Sequence, residues 1–332
     1  MSLSAEAVAE LARALRIGQR RALARAITLV ESRHADHQTA AEALLQQLLP
    51  CAGNALRIGV SGAPGVGKST FIEALGMHII GQGRRVAVLS VDPSSVLSGG
   101  SILGDKSRMA QLARHPHAYI RPTPAAGALG GVARRTREAI VLCEAAGFDT
   151  VLVETVGVGQ SEVAVARMTD MFVLLLMPAA GDELQGIKRG VMELADLVLI
   201  NKADGDWLGA ATHSAADYRN ALRLMQPRIA GWQTPVELCS ALTGAGIGEA
   251  WAVMLRFLEL LQHSGELGRQ REAQRVVWLD NEISEQLLAA LKSHPHAQNR
   301  LVELQREVRA GKILPPAAAR QALMAFLQPA TP

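Results

Sequence analysis

The chain has 332 residues, of which 49% are hydrophobic, and this is enough apolar side chain for a large core. No apolar run reaches the ~20 residues that a membrane-spanning helix needs, and the first ten residues hold no apolar signal core. A net charge of +3 and an aromatic content of 3% argue against nucleic-acid binding. Three separated cysteines, Cys51, Cys143 and Cys239, fit free thiols in a reducing compartment, so we expect a cytoplasmic protein that does not bind a membrane.

The first 50 residues are predicted to form an N-terminal helical extension. Residues 5–49 are rich in Ala, Leu, Arg and Gln, and their apolar side chains recur at helical spacing. The pattern predicts two helices with a break near residues 36–38, and Pro50 ends the region.

Residues 51–262 are predicted to form an α/β domain. Short apolar runs alternate with amphipathic stretches, which indicates a mostly parallel central sheet flanked by helices. The predicted strands are Arg57–Ser61, Val86–Val91, Ala118–Ile120, Thr150–Glu154, Met171–Met177, Leu197–Asn201 and Val236–Cys239.

The C-terminal part of the chain is predicted to be helical. The pattern favours helices at Ala250–His263, Glu266–Leu291, Ala297–Arg309 and Pro316–Leu327. Residues 263–332 are too few to build an independent core, so we expect this arm to pack on a partner.

A glycine-rich loop follows the first predicted strand and opens a helix. It reads Gly-x-x-x-x-Gly-Lys-Ser, which is the spacing of the loop that binds nucleoside triphosphates in P-loop NTPases. Its backbone N–H groups attract phosphate oxygens, the lysine reaches the β- and γ-phosphates, and the serine hydroxyl binds Mg²⁺. The predicted phosphate-binding residues are Gly62, Ala63, Pro64, Gly65, Val66, Gly67, Lys68, Ser69 and Thr70.

A second motif predicts that the nucleotide is GTP. Asn201, Lys202 and Asp204 form Asn-Lys-x-Asp at the end of an apolar strand. The Asp204 carboxylate can accept both the ring N–H and the exocyclic amine of guanine, whereas adenine would leave it unpaired. The guanine pocket is completed by the loop after the next strand, which comprises Ser240, Ala241 and Leu242.

Further carboxylates are predicted to bind Mg²⁺ and to take part in hydrolysis. Glu154 ends an apolar strand where most GTPases carry Asp, and the N–H of Gly157 can sense the γ-phosphate. Asp92 and Asp105 are candidates for the remaining ligand or for orienting water, and the sequence does not separate their roles. The predicted catalytic residues are Lys68, Asp92, Asp105 and Glu154, and the predicted metal ligands are Ser69, Asp92, Asp105 and Glu154.

A charged loop after the fifth strand is a candidate switch that reports the nucleotide state to a partner. Loops after parallel strands lie at the ligand-binding edge of such sheets, although an ordinary solvated loop is the alternative. The predicted switch residues are Asp182, Glu183, Gln185 and Lys188.

Taken together, these motifs resemble the MeaB/ArgK subfamily of P-loop GTPases. The resemblance covers nearly the whole chain and rests on the segments at 62–70, 91–95, 98–106, 154–162 and 181–188. It implies a cytoplasmic, homodimeric GTPase whose C-terminal helices form a dimerisation arm. It also implies a chaperone of adenosylcobalamin-dependent methylmalonyl-CoA mutase, which gates cofactor delivery and protects or reactivates the mutase.

Three other functions fit parts of the sequence. One is a kinase acting on an amino-acid (lysine, arginine or ornithine) transport binding protein. Another is a metal-insertion GTPase, although the scattered cysteines argue against a metal tract. The last is a signal-recognition GTPase, which would carry a methionine-rich tail, whereas this chain has only Met324 after Met254.

Overall fold

The computed structural model describes residues 3–32, 34–91, 109–123, 129–155, 161–178 and 189–327. Seven parallel strands form one sheet in the order β3-β2-β4-β1-β5-β6-β7. The strands are β1 Leu56–Gly62, β2 Val86–Val91, β3 Ala118–Thr123, β4 Thr150–Thr155, β5 Met171–Leu176, β6 Leu197–Ile200 and β7 Val236–Leu238. The predicted α/β class and all seven predicted strands are confirmed.

Helices precede, connect and follow these strands. In the described part of the chain they are α1 Ala5–Arg16, α2 Arg20–Glu31, α3 Ala35–Leu48, α4 Lys68–Gly81, α5 Ala110–Arg114, α6 Leu129–Ala145, α7 Ser161–Ala166, α8 Arg189–Met192, α9 Leu208–Arg223, α10 Ile247–His263, α11 Glu266–Ser293, α12 Pro295–Arg309 and α13 Pro315–Leu327. The four predicted C-terminal helices are therefore present, with ends shifted by up to three residues. None of the described helices is long and apolar enough to cross a bilayer.

The prediction of two N-terminal helices is wrong, because the structure has three. Gly18 adopts a left-handed φ of 75° and ends α1, a conformation that glycine takes without steric cost. The second helix ends at Glu31 and α3 begins at Ala35, so Asp36 is in the first turn of α3 rather than in a loop. Apolar periodicity continues across the break at Gly18, and for this reason the pattern alone did not reveal it.

The sheet is covered on both faces, as a parallel sheet requires. On one face, α1, α2, α3 and α6 share an apolar core with β2 and β4. On the other face, α4, α5 and α10 pack against β1 and β2, and a smaller core joins α9 to β5, β6 and β7. The N-terminal helices thus contribute to the main core, although the predicted domain limits at 50 and 262 remain predictions.

The chain divides into two compact units, residues 1–274 and 275–332, and the division falls inside α11. The first turns of α11 are fixed within the larger unit by a buried ion pair. Arg271 donates to both oxygens of Asp170 at 2.8 and 2.7 Å and also donates to the carbonyls of Gly53 and Ala55. Burial alone would lower the pKa of Arg271, but the hydrogen bond and the charge of Asp170 outweigh this effect and raise it.

We expect Asp170→Ala to lower the free energy of unfolding by about 3–5 kcal/mol, because Arg271 then keeps its charge in a buried site without the carboxylate that it is paired with. The pair between Arg269 and Glu266 is much more exposed than the pair between Arg271 and Asp170, and it lies on the same helix as Arg271, so it provides the control. Glu266→Ala should cost less than about 1 kcal/mol. Urea unfolding followed by circular dichroism measures both changes, and equal losses in the two variants would contradict a special role for the buried pair.

Candidate functional site

The phosphate loop connects β1 to α4, as the motif predicts. Gly62, Gly65 and Gly67 all have positive φ, at 155°, 80° and 95°. A Cβ at Gly67 would lie 2.7 Å from the amide nitrogen of Asn201, and one at Gly62 would strike the carbonyl of Leu175. The glycines are therefore required by backbone conformation and by close approach of neighbouring groups, which a side chain would prevent.

Lys68 is folded back onto its own loop. Its Nζ donates to the carbonyls of Gly62 at 2.7 Å and Ala63 at 3.1 Å. Burial lowers the pKa of Lys68, while the charges of Glu154 and Glu162 act in the opposite direction. These nearby carboxylates favour the charged form, so the ammonium can serve as a cation for an anionic ligand at this loop.

Glu154 lies at the end of β4 next to the start of α4. The Ser69 hydroxyl donates to Glu154 Oε1 at 3.0 Å, and the Ser90 hydroxyl donates to Oε2 at 3.4 Å. The side chain of Glu154 is almost fully buried. Three other predicted groups, Asp92, Asp105 and Gly157, lie outside the described residues, as do all four predicted switch residues, Asp182, Glu183, Gln185 and Lys188.

Asn201 joins the phosphate loop to the loop after β7. Its amide nitrogen donates to the carbonyl of Val66 at 2.7 Å, and its Oδ1 accepts from the N–H of Ala241 at 3.0 Å. The Cys239 thiol also donates to this oxygen at 3.7 Å. Burial raises the pKa of Cys239 to about 12, so the thiol stays protonated and keeps its donor.

Lys202 and Asp204 complete the second half of the site. Lys202 has a φ of 60° and donates from Nζ to the carbonyl of Gly65 at 2.9 Å. The Ser240 hydroxyl donates to Asp204 Oδ2 and accepts from the N–H of Thr243 at 3.2 Å. The side chain of Leu242 is largely exposed beside this pair. The predicted guanine-binding residues thus come together, with the Asp204 carboxylate oriented by a neighbouring hydroxyl.

Sequence reasoning gave no role to Ser90 or Cys239. Ser90 lies within the predicted strand Val86–Val91, two residues before Asp92. Cys239 is the last residue of the predicted strand Val236–Cys239 and one of the three free thiols. Their contacts depend on which strands are adjacent: β2 lies beside β4, and β7 lies beside β6. A small polar residue at the carboxyl end of a predicted strand was the available signal.

Comparison with known proteins agrees with this geometry. The family model described as "Methylmalonyl Co-A mutase-associated GTPase MeaB" matches residues 23–296. The chain belongs to the MeaB family. It is 52% identical over 281 residues to the protein named "GTPase ArgK" of Escherichia coli, and the aligned residues make up 85% of each chain. Like other members of the family, it is a GTPase with a P-loop fold.

Two further relatives extend over nearly the whole chain. A mouse protein named "Methylmalonic aciduria type A homolog, mitochondrial" is 51% identical over 319 residues, covering 93% of this chain and 77% of the mouse protein. The crystal structure titled "LAO/AO transport system kinase" superposes with a TM-score of 0.77 at 41% identity, covering 98% of this chain and 99% of the other. Proteins similar to this chain thus carry quite different names.

We expect Asp204→Asn to change the nucleotide preference from GTP towards XTP. An amide can donate to the carbonyl that xanthine carries in place of the guanine amine, whereas GTP loses a charged acceptor. Binding of GTP should weaken about 100-fold. Competition between the two nucleotides for a fluorescent analogue measures the change.

Asp206→Asn is the matched control, since Asp206 is exposed two residues further along the chain. This variant should keep the preference for GTP. An unchanged preference in Asp204→Asn would show that Asp204 does not read the base.

Proposed function

We propose that this protein is a Mg²⁺-dependent GTPase that acts as a chaperone of adenosylcobalamin-dependent methylmalonyl-CoA mutase. It gates delivery of the cofactor and protects or reactivates the mutase. The observation that carries the proposal is the match of the mutase-associated family model to residues 23–296. The name of the mouse relative, which refers to methylmalonic aciduria, supports the same assignment.

The residues around the phosphate loop fit Mg²⁺. A serine hydroxyl and a buried carboxylate, Ser69 and Glu154, lie within hydrogen-bond distance of each other, and both are the oxygen ligands that Mg²⁺ prefers. When bound with GTP, the ion would neutralise charge on the transferred phosphoryl group. Asp92 or Asp105 would supply further oxygen, and Lys68 would bind the β- and γ-phosphates.

In this proposal the protein's residues bind and orient GTP while a partner accelerates hydrolysis. Asn201, Lys202 and Asp204 hold the base, together with the loop of Ser240, Ala241 and Leu242. Residues 182–188 would act as the switch that communicates with the mutase. Position 159 is glycine, where a water-positioning glutamine would otherwise be expected, so intrinsic hydrolysis should be slow.

The kinase function is the main alternative, since the superposable crystal structure is titled a transport-system kinase. Transfer of ³²P from labelled GTP to a transport binding protein would support it.

For a metal-insertion GTPase, a His- and Cys-rich tract would be expected. Among the described residues, no group of three or more His, Cys, Asp or Glu side chains is arranged to hold a metal ion. We also propose that the protein is cytoplasmic.

We expect purified methylmalonyl-CoA mutase to raise the rate of steady-state GTP hydrolysis about tenfold or more, because a partner can position the attacking water where this chain has no glutamine at position 159. Lys68→Ala should remove the activity in both conditions. Phosphate release, measured with and without the mutase, tests the expectation.

Failure of the mutase to bind or to stimulate would contradict the chaperone proposal. The GTPase assignment would stand if hydrolysis still depended on Lys68. Phosphorylation of a transport binding protein in the same assay would instead favour the kinase.

We also propose that the protein is a homodimer, formed through the C-terminal helices. Within α11, the side chains of Val276, Leu279, Ile283 and Leu287 are exposed by 60%, 57%, 47% and 57%. They recur every three or four residues and therefore lie on one face of the helix. An apolar stripe of this kind on a surface helix marks an interaction site, and a second copy of the chain would cover it.

Placing a charge in this stripe should weaken the dimer. Ile283→Glu is expected to raise the dimer dissociation constant about tenfold or more, because the carboxylate would be desolvated in the interface. Glu285→Gln changes a residue about half a turn around α11 from Ile283 and should leave the constant unchanged. Sedimentation equilibrium measures both variants, and an unaltered Ile283→Glu dimer would exclude this face.

A further inference from the structure

Two adjacent strands bring Ser90 and Glu154 side by side. In the β2–β4 ladder, Ser90 is in register with Glu154, so both side chains leave the sheet on the same face. This is also the face on which α4 begins with Lys68 and Ser69. The exposed fraction is 1% for Ser90 and 2% for Glu154. The serine hydroxyl is therefore shielded from solvent, and it lies with the carboxylate on the face of the sheet where α4 begins.

The Glu154 carboxylate receives a hydroxyl donor on each oxygen. Ser69 donates to Oε1 at 3.0 Å and Ser90 donates to Oε2 at 3.4 Å. The final torsion of a glutamate side chain is broad when nothing holds it. With a donor on either side, rotation of the carboxylate about this bond breaks at least one hydrogen bond. The two serines come from different elements, α4 and β2, so they fix the carboxylate in two directions.

A glutamate needs this restraint more than an aspartate would. Its side chain has one additional rotatable bond, and the extra freedom must be removed when the group is ordered. The attractive charge of Lys68 lies nearby. A carboxylate that turned towards this ammonium would compete with phosphate for the lysine and would leave the position beside Ser69.

We propose that Ser90 is a positioning residue that holds the Glu154 carboxylate in the orientation needed for Mg²⁺. The inference rests on the proposed role of Glu154 as a metal ligand. It gives a role to the serine that precedes the Val-Asp-Pro-Ser-Ser segment at 91–95. Ser90 itself touches neither metal nor nucleotide in this assignment, and it acts through Glu154.

The test measures binding rather than turnover. The affinity for a fluorescent, non-hydrolysable GTP analogue is determined over a range of Mg²⁺ concentrations and in EDTA. Ser90→Ala should raise the Mg²⁺ concentration for half-saturation about threefold to tenfold, as expected for loss of one ordinary hydrogen bond, because the contact of 3.4 Å is long for a hydroxyl donor. Its affinity for the analogue in EDTA should equal that of the unaltered protein.

A double-mutant cycle separates positioning from general stability. Glu154→Gln alone should raise the Mg²⁺ requirement, and adding Ser90→Ala to it should produce no further increase, because Ser90 acts only through the carboxylate. Ser61→Ala is the matched control. Ser61 is a buried hydroxyl on the opposite face of the sheet, where it accepts from Thr155 at 2.8 Å, and its removal should leave the Mg²⁺ requirement unchanged.

The outcomes distinguish this inference from the function on which it rests. If Glu154→Gln raises the Mg²⁺ requirement but Ser90→Ala does not, the role of Ser90 is wrong and the metal assignment stands. If Glu154→Gln has no effect, the metal assignment and this inference both fail. If Ser90→Ala weakens binding of the analogue equally with Mg²⁺ and in EDTA, Ser90 has a structural role and the positioning role is wrong. The same conclusion follows if the effects of the two substitutions on the Mg²⁺ requirement add in the double variant.

Discussion

The parallel register of the seven strands is the constraint on which the nucleotide site depends. Because all strands run in one direction, their carboxyl ends meet at one edge of the sheet. Residues that are far apart in sequence therefore become neighbours: the loop at 62–70 follows β1, Glu154 lies near the end of β4, Asn201 follows β6 and Ser240 lies beyond β7. The site is assembled by the sheet rather than by any one segment.

Asn201 joins two of these neighbouring loops through hydrogen bonds of its side chain. Its side-chain amide is only 1% exposed, and it donates to the carbonyl of Val66 in the phosphate loop and accepts from the N–H of Ala241 in the loop after β7. A buried amide that lost either partner would carry an unsatisfied polar group. The two loops are thereby held in one arrangement, with Lys202 adding a second link to Gly65.

Two ion pairs connect neighbouring elements at the opposite edge of the sheet, where the amino ends of the strands lie. Arg57 pairs with Glu144 at 2.7 Å, and Arg271 pairs with Asp170 just before β5. The backbone N–H of Arg57 also donates to Asp170 at 2.9 Å, which links the two pairs. This network ties the start of α11 to the amino ends of β1 and β5. The first turns of α11, which belong to the larger unit, are thus anchored beside the amino ends of these strands.

Local sequence pattern was sufficient to predict the seven strands and the glycine-rich loop at 62–70. The same kind of pattern predicts that Asn201 and Asp204 read the base, and this role stays a prediction. Which side chains meet depends on how distant segments pack in the folded protein. The break at Gly18 was hidden because apolar spacing continued through it, and Ser90 gained a role because β2 lies beside β4. Periodicity records which face a residue occupies, whereas strand order is set by packing between distant segments, and no local pattern encodes it.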